Sequence, residues 1–129
     1  MRQPSAQLEK LAYRVIRAAI EVHQVLGAGF LEEVYHKALR EEFLIRGIPY
    51  EFEHPVKVHY KGRSVGEGKL DFLVGDSLIV ELKAVQNLTP IHEAQVLSYL
   101  KMTHYPLALL INFNVPLLKD GIKRIILSS

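Results

Sequence analysis

Apolar residues recur at helical spacing along the start of the chain. Leu8, Leu11, Ala12, Val15, Ala19, Val22 and Leu26 fall on one side, with Arg14, Arg17, Glu21 and Gln24 on the other. "GAG" at 27–29 ends this helix, because glycine accepts the left-handed conformation that helix C-termini use. A second helix is predicted from Leu31 to Arg46, stopped by Gly47 with Pro49 just beyond. From Tyr50 the pattern alternates and fills with β-formers, in "YEFEHPVKVHYKG", "RSVGEGKLDFLV" and "SLIVELKAV". Turn signals at Lys61-Gly62 and Gly75-Asp76 join these into an antiparallel meander. Thr89-Pro90 starts a third helix, which runs to Thr103. "PLALLINF" at 106–113 is continuously apolar, as suits a strand buried on both faces. After a turn at Asp120-Gly121, "IKRIIL" reads as a last strand at an edge. The predicted order is ααβββαββ, one α/β domain over residues 1–129 with a central mixed sheet flanked by helices.

Composition narrows the function classes. The 129 residues suffice for one real core, and 49% hydrophobic with 23% charged residues is ordinary for a soluble globular protein. No apolar run is long enough to span a bilayer and "MRQPSAQLEK" lacks a signal-peptide apolar core, so a cytoplasmic protein with no membrane partner is expected. With no cysteine, disulfides and thiolate metal sites are excluded, and carboxylate, carbonyl, water or imidazole ligands favour Mg²⁺ or Mn²⁺ over structural zinc. The net charge of +2 permits nucleic-acid binding through a local patch. Lys119, Lys123 and Arg124 form a modest basic cluster that could contact phosphates, or could be a solvated charged turn.

The stretch "LDFLVGDSLIVELKAV" (70–85) carries the candidate chemistry, because Asp71, Glu81 and Lys83 interrupt its apolar runs. Burying an unpaired charge is costly, so these three need water or a partner. Strand alternation puts Ile79, Glu81 and Lys83 on one face and Leu78, Val80 and Leu82 on the other, which must be core. Register decides whether Asp71 joins them. A two-residue turn at Gly75-Asp76 sets Asp71 opposite Val80, whereas a three-residue loop through Ser77, or a compensating bulge, sets it opposite Glu81. Opposed carboxylates destabilise a sheet unless a cation lies between them. Asp, Glu and Lys together suit metal-assisted phosphodiester hydrolysis: carboxylates hold Mg²⁺, and the lysine orients or deprotonates water or stabilises charge on phosphate. The plain alternative is a surface hairpin with one salt bridge.

The helices add candidates. On the second, a helical wheel gathers Leu31, Val34, Tyr35, Ala38, Leu39 and Ile45 in one arc that includes Glu32, while Glu33 and Arg40 point away. Glu32 is thus a candidate third metal ligand, or a carboxylate placed to favour the helix N-terminus. On the third, His92, Gln95 and Tyr99 form a stripe, and the last two could hydrogen-bond a phosphate or a site carboxylate, or serve as core and cap. His23 and His92 read as hydrogen-bonded structural histidines.

"LD" at 70–71, "ELK" at 81–83 and "QVLSY" at 95–99 together resemble the PD-(D/E)XK nuclease superfamily, including its Gln-x-x-x-Tyr branch. More narrowly, "GFLEEVY" (29–35), "LIVELKAV", "HEAQVLSYL" and "INFNVPLLKDGIKRI" look like the GxxExxY protein family, over nearly the whole chain. The resemblance implies a restriction-endonuclease-like fold. It also implies that Asp71 and Glu81 bind Mg²⁺ or Mn²⁺ beside the backbone of Leu82, that Glu32 is a further ligand, that Lys83 is the catalytic lysine, and that Gln95 and Tyr99 line the site. Leu70 stands where many relatives have proline, which is not a ligand. The expected function is a Mg²⁺-dependent nuclease acting on DNA or RNA, with DNA the first expectation. The alternative is a catalytically silent nuclease-fold module that binds nucleic acid or a protein partner. Since so short a chain offers little surface to a duplex, a homodimer is expected as well.

Overall fold

The computed structural model describes residues 3–127. Its elements follow the predicted order: α1 (Ala6–Leu26), α2 (Glu32–Arg46), β1 (Tyr50–Tyr60), β2 (Arg63–Val74), β3 (Leu78–Lys83), α3 (Pro90–Thr103), β4 (Leu107–Asn112) and β5 (Ile122–Ile125). A 3₁₀ turn at Leu118–Gly121 replaces the simple turn expected before β5. The five strands form one sheet in sequential order. Neighbours are antiparallel except β3 and β4, which the α3 crossover makes parallel.

The sheet separates two cores. Phe72, Val74, Leu78, Val80, Leu82, Leu107, Leu109 and Ile111 pack against α1 and α2. Leu73, Ile79, Ala108 and Leu110 pack on the other side, against Val96 and Leu100 of α3. β4 is buried at all six positions, as its continuous apolar run implies.

The arc drawn on α2 is corrected. The buried positions are Tyr35, Leu39 and Phe43, whereas Leu31 (78% exposed) and Ile45 (76%) face out. The apolar stripe lies further toward Phe43 than a wheel centred on Leu31 and Val34 suggests. Its inner edge therefore carries Glu32, His36 and Arg40. Arg40, read as pointing away, lays its guanidinium over the Phe52 ring, 4.1 Å from the centroid.

The β2–β3 register answers the question raised by Gly75-Asp76. Val74 pairs with Leu78, so Gly75, Asp76 and Ser77 form a three-residue loop. Gly75 (φ 58°) and Asp76 (φ 63°) are both left-handed, and a Cβ on Gly75 would come within 2.7 Å of Leu11 on α1. Paired residues run to Phe72 and Val80. One step on, at Asp71 and Glu81, the strands part and the candidate site begins.

Candidate active site

β2 turns over at Asp71. Leu70 packs on the α3 side and Phe72 on the α1–α2 side, although regular alternation would put them together. Opposite Asp71, Glu53 of β1 takes a left-handed conformation (φ 57°), and the β1–β2 ladder passes from Phe52↔Phe72 directly to His54↔Leu70. This irregularity aims the Asp71 carboxylate into the fork between β2 and β3. There Asp71 Oδ2 accepts the Leu82 N–H (2.8 Å), while Glu81 Oε2 accepts the Asp71 N–H (2.5 Å). Each carboxylate thus replaces a rung that the parting strands lose. Glu81 is almost fully buried at 4% exposure.

α2 closes the fork from the other side. His36 Nε2 lies 3.2 Å from Glu32 Oε2 and 3.4 Å from Asp71 Oδ2. Ligand atoms of Glu32, His36 and Asp71 all fall within 4.8 Å of one another. Sequence reasoning brought Glu32 to this place but missed His36. The available signal was the i, i+4 spacing of Glu32 and His36 on one helix face.

The loop that presents Glu32 is fixed by Tyr35. Its hydroxyl donates to the Gly27 carbonyl (2.7 Å) and accepts the Phe30 N–H (3.2 Å), and its ring stacks on Phe113 at 4.6 Å. The spacing Gly29-x-x-Glu32-x-x-Tyr35 therefore has a local meaning: a turn with Gly29 at φ 107°, a carboxylate entering the site, and an anchor one turn later.

On the α3 side, alternation sets Glu81 and Lys83 beside Ile79. The Tyr99 ring lies against β2, where a Cβ on Gly68 would stand 3.0 Å from it. The charges of Glu81 and Asp71 act on its phenol, so Tyr99 stands beside the fork, with Gln95 one helical turn before it on α3. Asn112, the one polar residue of the β4 run, was not singled out from the sequence. Its buried amide accepts the Val85 and Asn114 N–H groups and donates to the Val85 carbonyl, holding the chain as it leaves Lys83.

The remaining candidates lie elsewhere or are structural. His23 bonds the Val115 carbonyl through Nε2 (2.8 Å), and His92 Nδ1 accepts the Thr89 N–H (3.1 Å) at the start of α3. Lys123 pairs with Glu93 (3.1 Å), and Arg124 makes two hydrogen bonds to Glu9 (2.9 and 2.8 Å). Lys119 is exposed on the 3₁₀ turn.

The electrostatics fit a cation. Burial, and next the charge of Asp71, push the Glu81 carboxyl up to about 8, with the Asp71 N–H and the Lys83 charge opposing. Burial lowers the pKa of His36, but the adjacent Asp71 and Glu32 carboxylates outweigh it and the net shift is upward. Burial, then the charges of Glu81 and Asp71, raise the Tyr99 phenol. His36 Nε2 is buried and, despite its two close carboxylates, has no hydrogen bond of adequate alignment. Three carboxylates that repel one another and an orphaned imidazole nitrogen beside two of them form a donor set suited to a divalent ion.

A mixed sheet of this order, with paired acids at a strand fork, belongs to the restriction-endonuclease-like class. Residues 9–125 match the family model of the PD-(D/E)XK nuclease superfamily, and the chain belongs to that superfamily. Among solved structures it is similar to the one described as "Crystal structure of SSO0001", with a TM-score of 0.52 and 18% identity. The match covers 75% of this chain but 49% of that one, so the likeness concerns the fold and this chain spans about half of the other's length. No curated protein matches the chain.

Proposed function

We propose that the protein is a metal-dependent nuclease that hydrolyses phosphodiester bonds, with DNA as its first substrate and RNA as the competing one. The observation that carries this reading is the fork itself, where Asp71 and Glu81 exchange carboxylate-to-backbone hydrogen bonds and Glu32 and His36 arrive from α2. Glu32, Asp71 and Glu81 would hold Mg²⁺ or Mn²⁺ beside the backbone of Leu82. Such an ion, when bound, polarises the phosphate and acidifies a water molecule. Lys83, on the same strand face as Glu81, orients or deprotonates the attacking water or holds negative charge on the phosphate. Gln95 and Tyr99 position the phosphate from the α3 side. A homodimer would let two such forks engage a duplex, and light scattering at micromolar concentration measures it.

The deciding assay incubates labelled single- and double-stranded DNA and RNA with the chain in Mg²⁺, Mn²⁺ or chelator. Metal-dependent cleavage is expected, lost in Glu81→Gln and Lys83→Ala while both variants keep their fold. Tight binding of a substrate with no cleavage in either metal would move the assignment to a catalytically silent nuclease-fold module.

A further inference from the structure

The β1–β2 hairpin runs on past the rest of the sheet. β3 pairs with β2 only along Phe72–Val74, whereas β1 and β2 stay paired out to Tyr60↔Arg63. α3 covers the hairpin's base, where Val56 joins its core and Tyr99 lies on Gly68. Beyond that base, residues 57–67 are exposed apart from a half-buried Val58. An isolated two-stranded ribbon is marginally stable at best, so a bare extension of this length calls for a partner.

Its charge names the partner. Residues 55–68 hold three of the chain's 16 Lys and Arg (Lys57, Lys61, Arg63) and one of its 14 acids (Glu67). The whole formal excess of +2 therefore lies on this arm, and the rest of the chain is balanced. Among the described residues, Lys57, Lys61 and Arg63 enter no ion pair, whereas Lys69 at the base is held by Glu53. The strand that carries Arg63 leads without a break to Asp71. At about 3.3 Å per residue, the cations stand roughly 13–30 Å from the fork, about four to nine base pairs along a duplex. Sheet extension by a second copy is the rival use of a long edge strand. Pro55 and left-handed Glu53 in the middle of β1 oppose it, since one lacks an N–H and the other breaks the edge.

We propose that the β1–β2 hairpin is a nucleic-acid-gripping arm, whose Lys57, Lys61 and Arg63 bind the phosphodiester backbone of the duplex entering the fork, without regard to base sequence. The orientation toward the fork rests on the nuclease reading; the binding does not.

The test uses the full chain with Glu81→Gln in every sample, and measures binding to a short fluorescein-labelled DNA duplex by anisotropy across a salt series. Adding Lys57→Ala, Lys61→Ala and Arg63→Ala is expected to weaken binding about tenfold or more and to reduce the salt slope by about 2–3, near 0.9 per phosphate contact. All three side chains are exposed, so the melting temperature should hold. A control that removes Lys10, Arg17 and Lys101 instead, with the same net charge, should bind like the parent. Equal loss in the control, equal affinity in parent and arm variant, or no binding by the parent would each overturn the arm. Loss confined to the arm variant, with no cleavage by the unmodified chain in Mg²⁺ or Mn²⁺, would sink the nuclease reading and leave the arm standing.

Discussion

Asp71 and Glu81 each use a carboxylate to bond the other's strand: the Asp71 N–H donates to Glu81, and the Leu82 N–H next to Glu81 donates to Asp71. The pair closes the end of the β2–β3 ladder and sets two carboxyl groups side by side, where burial and the charge of Asp71 resist ionisation of Glu81. Stability and candidate chemistry therefore pull in opposite directions at the same two residues.

Removing Asp71 separates the two roles. Asp71→Asn keeps an oxygen for the Leu82 N–H and should leave stability nearly unchanged. Asp71→Ala orphans that group and should cost about 1–3 kcal/mol in denaturant unfolding. Both should abolish metal-dependent cleavage, so equal stability of the two variants would contradict the structural role.

Glu81 makes a pH prediction. Its carboxyl, at 4.5 ordinarily, is raised to about 8 in the fold, so the folded chain holds this proton more tightly than the unfolded one. That contribution is complete below 4.5 and is lost as pH rises through about 8. His36, shifted upward from 6.5, acts in the same direction, its contribution lost as pH rises past that value. Without divalent ions, the melting temperature should fall across this window. Glu81→Gln should flatten the fall and melt higher than the parent at pH 8, and Mg²⁺ should raise the parent but not the variant. Parallel pH profiles for the two proteins would remove the buried carboxylate from the explanation.

Much of this was legible in the sequence. The 3.6-residue period marked α1 and alternation marked β1–β3, while Thr89-Pro90 marked the start of α3 and a continuous apolar run marked β4; Asp71, Glu81 and Lys83 stood out as charges inside apolar runs. The required odd-residue loop is present. Other features were hidden for physical reasons. Glu has no preference for left-handed backbone, so nothing announced the Glu53 kink that turns Asp71 into the fork. Exposed Leu31 and Ile45 drew the α2 wheel off centre and concealed His36. The basic hairpin was not singled out, because reading three strands as an antiparallel meander leaves their relative lengths open, and β2 has 12 residues where β3 has six.

Tyr35→Phe should test the presentation of Glu32. Loss of the hydroxyl strands the Gly27 carbonyl and the Phe30 N–H, costing about 1–2 kcal/mol. Hydrogen exchange at the Phe30 amide should accelerate, and a protection unchanged from the parent would show that the loop is held by other contacts.

Gly68→Ala should push on Tyr99. A Cβ 3.0 Å from its ring overpacks the contact, at a cost of about 1–3 kcal/mol. In a Tyr99→Ala background the same substitution should be milder, with a coupling of about 0.5 kcal/mol or more in a double-mutant cycle. Additive costs would place the ring away from Gly68 in solution.

The measurement that bears most directly on the central claim is anomalous diffraction from crystals soaked in Mn²⁺. The expected result is a peak in the β2–β3 fork at coordination distance from Asp71, with a second ligand from Glu81 or Glu32. A soak that places Mn²⁺ elsewhere on the chain, or leaves the fork without a peak at saturating concentration, would contradict it.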